Sequence, residues 1–250
     1  SPRAMAFAAL GAVLVLETDP RHGDALALTA RVGAELFQLL KASSRPDWTW
    51  FETVLGYDNP RLPEALMRAG QHLGNDDWID TAVDALRWIN NVQCNERGLF
   101  RPVGSDSFGC KQDYLPFDQQ PLEAWSAIDA CAAANEIRPS PEWVQHARLA
   151  ISWFHGANDR GIALADIATG TCRDGITRQG VNENRGAESI LAYQLGHYGY
   201  MRLAAFNGLD VANDERYERD ARNASQHSRF EAECRSAAGG APPVSPELAG

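Results

Sequence analysis

The chain has 250 residues, 44% of them hydrophobic, and a formal net charge of −10. At this length roughly 70% of the unfolded surface is removed from water on folding, so a full core is available to one long domain. Of 23 basic residues only Lys41 and Lys111 are lysines, and no basic tract exists. Nucleic acid and anionic membrane surfaces are therefore excluded as partners, because both need clustered cations.

Helical periodicity then dominates in chain order. Ser1-Pro2-Arg3-Ala4 reads as an N-cap followed by proline at the first helical position. The apolar run that follows, Ala4 to Leu16, is 13 residues long, too short to span a bilayer, and lacks a signal-peptide cleavage site. His22 to Lys41 places Ala25, Leu28, Val32, Leu36 and Leu39 or Leu40 on one face. Further helices are predicted over Pro63 to Leu73, Trp78 to Val92, Pro121 to Asn135, Glu142 to Phe154 and Ala187 to Phe206. Only minor strand is expected, near Leu99 to Val103. The polar residues 207–235 read as a helical extension, and the Ala/Gly/Pro/Ser-rich residues 236–250 as a disordered tail.

An internal repeat organises residues 1–206. Trp78-Ile79, Ala82, Ala85-Leu86 and Trp88-Ile89 recur as Trp143-Val144, Ala147, Ala150-Ile151 and Trp153-Phe154, 65 residues later. A glycine-led loop follows each copy, and then a helix opening on Glu123-Ala124 or Ala187-Glu188, with an earlier opening at Glu64-Ala65. Short turns alternate with long loops. Such a unit predicts an all-α fold, a partial α/α toroid of about four helical hairpins, with the long loops gathered on one rim. The competing reading is an irregular helical bundle.

The long loops, Ser43 to Asn59, Asn95 to Phe117 and Asn158 to Glu183, carry the candidate chemistry. They are rich in aromatic residues, including Trp48, Trp50, Phe51, Tyr57, Phe100, Phe108, Tyr114 and Phe117. Aromatic rings beside carboxylates and amides suit sugar, whose ring face stacks on an aromatic and whose hydroxyls need acceptors. Trp50, Tyr57 and Phe100 are the expected stacking platforms, unless they plug the end of the toroid. Each loop ends in a polar cluster: Asp58-Asn59, Asp118-Gln119-Gln120 and Asn182-Glu183-Asn184. Glu64, Glu123 and Glu188 follow five or six residues on, where helix capping is the plainer explanation. Glycoside chemistry needs one carboxylic acid and one carboxylate base or nucleophile. Glu52, Asp58, Asp118, Glu123, Asp166, Asp174, Glu183 and Glu188 are the candidates. Asp118 ranks first as general acid, because Phe117 and Pro121 would desolvate it and raise its pKa; Glu52 or Asp58 is its expected partner. Arg101, Arg160, Arg173, Arg178 and Arg185 are read chiefly as internal salt-bridge partners, or else as grips for an anion.

The five cysteines are widely spaced with no metal-ligand pattern, so reduced thiols in a cytoplasmic protein are expected. No cofactor or metal is expected. The histidines at 72, 146, 155 and 197 show no spacing that supports a sugar epimerase, which would need a facing pair.

Several motifs in order carry a family resemblance. They are Trp48-Thr49-Trp50-Phe51-Glu52, then Gly56-Tyr57-Asp58-Asn59 with Arg61-Leu62-Pro63. Phe117-Asp118-Gln119-Gln120-Pro121-Leu122-Glu123-Ala124 follows, then Trp153-Phe154 with Gly156 and Asn158-Asp159, and finally Asn184 with Gly186-Ala187-Glu188-Ser189. From about Ser1 to Leu203 the chain resembles the helical domain C-terminal to family 4, mannosyltransferase-like glycosyltransferase domains, within the six-hairpin-glycosidase-like folds. The resemblance implies an α/α toroid tied to carbohydrate metabolism, with a preceding glycosyltransferase domain as partner and an oligosaccharide or other glycan as ligand. No dinucleotide-type strand–glycine–helix unit is present. With no initiator Met, the chain is expected to start where a transferase domain ends. The implied function is binding or hydrolysis of an oligosaccharide; a non-catalytic glycan-binding or docking module and an epimerase-like toroid are the alternatives. Substrate contacts are expected from Trp50, Tyr57, Asn59, Phe100, Arg101, Gln119, Gln120, Asp166, Arg173, Asp174, Asn182, Glu183, Asn184 and Glu188.

Overall fold

A computed structural model describes residues 1–105 and 116–209. Phe108, Tyr114, the helical extension past residue 209 and the tail at 236–250 lie outside the described residues. Among those described, seven helices account for nearly all regular structure: α1 (Pro2–Thr18), α2 (Gly23–Ser43), α3 (Arg61–Leu73), α4 (Asp76–Val92), α5 (Pro121–Ile137), α6 (Pro141–Phe154) and α7 (Ala187–Phe206). Each helix expected within residues 1–206 is present, and none of the described helices is long and apolar enough to cross a membrane.

Local chemistry sets the helix ends. Ser1 accepts from the backbone N–H of Ala4 with Pro2 at the first helical position, and His22 Nδ1 accepts from Ala25 to start α2. Gly74 closes α3 in the left-handed region at φ +64°, where a side chain would be strained, and Asn75 then caps α4 through Trp78 N–H. The α3–α4 and α5–α6 turns are therefore short, which makes those neighbours antiparallel.

α1, α3, α5 and α7 pack in a row, each against the next, while α2, α4 and α6 lie beside the row and fill its intervals. α5 is alanine-rich and has no single apolar face, and most of its residues are buried, as suits a helix with neighbours on several sides. Its approach to α7 is close because Gly196 sits over Ile128 and Trp125, and Gly199 over Asp129. At the two ends of the row apolar side chains reach solvent: Phe7 and Leu14 on α1, Leu191, Leu195 and Tyr198 on α7.

The tryptophan repeat falls on α4 and α6. Trp143 and Trp153 are fully buried, their indole N–H groups donating to Arg138 O at 2.9 Å and Gln119 Oε1 at 2.8 Å. Trp88 instead meets Trp48 and Trp50, while Trp78 lies so close to Gly33 that a Cβ there would come within 2.2 Å of the indole.

The loops depart from expectation in detail. Strand near Leu99 reduces to one isolated bridge, Cys94 to Phe100. The 158–183 segment, expected without secondary structure, folds into two antiparallel hairpins, β1 (Ala165–Asp166) with β2 (Thr171–Cys172) and β3 (Gly175–Ile176) with β4 (Val181–Asn182).

Candidate functional site

Arg61, in the first turn of α3, is the centre of a buried charge cluster. Its Nη1 meets Glu64 Oε2 at 2.7 Å, its Nη2 meets Asp129 Oδ2 at 2.8 Å, and its Nε lies 3.7 Å from Asp58 Oδ1. The i,i+3 spacing puts Arg61 and Glu64 on one face of α3. α5 supplies Asp129 and, four residues earlier, Trp125, whose ring lies 4.6 Å beneath the guanidinium. Burial raises the carboxyl pKa values of Asp58, Glu64 and Asp129, with Arg61 opposing in each case. Burial pulls the guanidinium the other way, yet Glu64, Asp129 and Asp58 together hold it charged above its ordinary range.

A second buried acid adjoins this cluster. Asp58 stands in the left-handed region at φ 50°, and its backbone N–H donates to Glu123 Oε1 in the first turn of α5. Asp58 and Glu123 are each 1% exposed. Burial, then the charge of Asp58, pushes the Glu123 carboxyl up to about 8, against the pull of the Asp58 and Asn59 backbone N–H groups and of Arg3. Arg3 of α1 fastens the same loop: it pairs with Glu52, donates to Asn59 Oδ1 at 2.9 Å and to Tyr57 O at 2.6 Å. A Cβ at position 56 would come within 2.8 Å of that guanidinium, so a side chain there would have to displace Arg3.

Asp159 joins the other two long loops. It accepts two bonds from Arg101, each 2.7 Å, one from Gln119 Nε2 at 2.6 Å and one from Asn95 Nδ2 at 3.0 Å. Burial opposes its charge, but Arg101 and Gln119 outweigh it and hold the carboxyl below its usual range. Gln119 also exchanges both backbone bonds with Ile176, at 2.9 Å each, which pins the second hairpin to the start of α5.

The expected site residues thus divide. Asp58, Asn59 and Glu123 come together, and Glu52 joins them through Arg3. Asp118 sits apart, partly exposed; its backbone carbonyl accepts from Ser105 N–H, and its side chain makes no ion pair among the described residues. Trp50 and Phe100 do not serve as stacking platforms: Trp50 is fully buried against Phe51 and Trp88, and Phe100 is 4% exposed. Both are core plugs, because the loops that carry them fold back over α4. Tyr57 is 46% exposed, with Arg3 5.7 Å from its ring centre.

The remaining candidates are largely occupied within their own loops. Arg101 binds Asp159, Arg173 binds Glu183 at 2.8 Å, and Arg185 reaches Asp166 at 4.0 Å, whereas Arg160 donates to the Thr177 and Arg178 carbonyls and lies over the Phe117 ring. Asp166 accepts from Ala168 and Thr169, Asp174 from Gly186 at the start of α7, and Asn182 from Asn184. Gln120 occupies the α5 N-cap without a side-chain capping bond, and Glu188 is an exposed first-turn acid of α7. Side-chain capping, the plain reading of the polar clusters, is absent at the starts of α3, α5 and α7.

Sequence reasoning missed Arg3 and Asp129 and gave Arg61 and Asp159 no role. A usable signal existed for two: Arg61 precedes Glu64 at helical spacing, and Asp129 is a charged residue in an alanine-rich helix. The histidines held one surprise. His155 and His197 flank Tyr193, with ring centres 5.7 and 6.0 Å from it, and burial followed by the His197 charge pushes His155 down to about 4. Both rings lie against that of Tyr193, where the end of α6 meets α7.

No protein-family model matches the chain, and no curated protein is significantly similar to it. What the fold and the site define is an all-α protein with a buried acid cluster tying its loops to its central helices.

Proposed function

We propose that the chain is a partial α/α toroid that binds an oligosaccharide at its loop-rich side without cleaving it, as a module associated with a glycosyltransferase domain. The observation that carries the non-catalytic reading is that these carboxylates are either paired or buried. Glu52 is paired with Arg3, Asp58 and Glu123 are buried against each other's chain, and Asp159 is saturated by donors. A carboxyl group 1% exposed has no path to a glycosidic oxygen, whose protonation and displacement require direct contact. The row of α1, α3, α5 and α7, backed by α2, α4 and α6, supports the toroid. The glycan and the transferase partner rest on the motifs Gly56-Tyr57-Asp58-Asn59 and Phe117-Asp118-Gln119-Gln120. Exposed Tyr57, partly exposed Gln120 and the amides of Asn182 and Asn184 offer stacking and hydrogen bonding on that side.

Hydrolysis with Asp118 as acid is the second reading, favoured by its partial exposure beside Phe117. Titration of mannan and glucan oligosaccharides, with a reducing-end assay on wild type and Asp118→Asn, separates the two. Saturable binding without product is the expected result; product that vanishes in the variant assigns hydrolysis.

A further inference from the structure

Between α3, α5 and α7 lies a cavity of about 430 Å³, which shares Glu64 and Asp129 with the Arg61 cluster. Its wall includes Glu64 and Arg68 from α3, Asp129, Asn135 and Glu136 from α5, and Arg202 from α7. Two facts make it more than a gap between helices. Asn135 is 1% exposed, and neither its amide nitrogen nor its amide oxygen has a hydrogen-bond partner. Burying such a group unsatisfied is costly, so a group that ends this way commonly meets a ligand or water. The charges are also unequal at the inner end. Asp58, Glu64 and Asp129 share the single guanidinium of Arg61, whereas Arg68 is already committed to Glu136 at 2.5 Å.

We propose that this cavity binds a small ligand carrying a primary ammonium group, seated between Glu64 and Asp129 with its hydroxyl or amide groups against Asn135. An ammonium supplies three donors and one positive charge, which is what two carboxylates served by one oxygen each through Arg61 lack. Trp125 adds a bond to Asp129 but no charge. Burial raises the carboxyl pKa values of Glu64 and Asp129, and a bound cation would oppose that rise as Arg61 does. Ala132, Leu203 and Phe206 make the rest of the wall apolar, and the volume exceeds that of a bare ion, so an amine with a carbon skeleton fits better than a metal. Arg202, on the α7 side, disfavours the reverse orientation of the ligand. The assignment is independent of glycan binding at the loops.

The test compares glucosamine with glucose, which share a ring and differ by the amine, titrated into the whole chain at about pH 6.5, where the amine is charged. Glucosamine is expected to bind saturably and glucose to bind at least about tenfold more weakly, the loss of one charge-assisted bond. Asp129→Asn, checked for folding by circular dichroism, is expected to weaken glucosamine about tenfold. Ala132→Met narrows the cavity without touching a charge and is expected to abolish binding, which covers the case in which Asp129→Asn fails to fold. Equal affinity for glucose and glucosamine, no saturable binding of glucosamine, or unchanged binding in Ala132→Met overturns the proposal. Binding of either sugar at the loops would survive Ala132→Met, so that variant separates the cavity from the glycan site.

Discussion

The backbone N–H of Asp58 donates to the carboxylate of Glu123, a residue 65 positions away in the chain. The bond joins the end of the first long loop to the first turn of the central helix, in a pocket where both residues are 1% exposed. Glu123 holds its proton up to about pH 8, whereas in the unfolded chain it would lose it near 4.5. The native state therefore binds the extra proton between those values, and its stability falls as pH rises through that window, by about 1.4 kcal/mol per unit at most. Glu123→Gln keeps an oxygen for Asp58 and removes the titration. Thermal midpoints measured from about pH 5 to 8 are expected to diverge, with the variant the more stable at the upper end. Parallel curves would contradict the assignment.

Arg61 compensates three carboxylates at once. Arg61→Met leaves Asp58, Glu64 and Asp129 buried without it, and the expected loss is about 3–5 kcal/mol in urea unfolding, the cost of breaking a buried pair. Arg61→Lys is expected to recover only part of that loss, because an ammonium lacks the planar fork that reaches Glu64 and Asp129 together.

Asp159 holds loops that helix packing does not reach. In Asp159→Asn the bonds to Arg101 lose their charge, a change of about 1.5–3 kcal/mol in local stability. Hydrogen exchange is the direct readout. Amides at 95–101 and 119 should exchange faster while those of α3 and α5 keep their protection.

Gly175 has φ 142°, and a Cβ there would lie 2.1 Å from Gln119 O. Gly175→Ala must push β3 away and break the paired bonds between Ile176 and Gln119. The expected outcome is a lower midpoint of thermal unfolding and faster exchange of the Gln119 and Ile176 amides, with Gly180→Ala, which meets nothing within 4 Å, losing only the cost of its own φ of 150°.

The helices were legible because their apolar residues recur at helical spacing and their ends carry Ser1, Pro2, Gly74 and Asn75. The loops were not, because their structure is set by partners remote in sequence. Trp50 and Phe100 looked like open platforms in a polar loop, yet Trp88 and the folded-back chain cover them. Asp58 and Glu123 were legible only as two of eight candidate acids, with Asp58 matched to Asp118. Their contact depended on the left-handed backbone at Asp58, which no spacing reveals in a non-glycine residue. Arg3 escaped notice because its partners, Glu52, Tyr57 and Asn59, are about fifty residues away. The short hairpins at 165–182 contain only two residues per strand, too few for alternation to register.

The central claim is a loop side that holds a glycan but does not cut it. The direct measurement is calorimetric titration of mannan and glucan oligosaccharides with reducing ends counted in the same samples. Saturable binding is expected, weakened by Tyr57→Ala, with no increase in reducing ends over the uncatalysed control. Release of reducing ends by wild type but not by Asp118→Asn, or the absence of any binding, would contradict it.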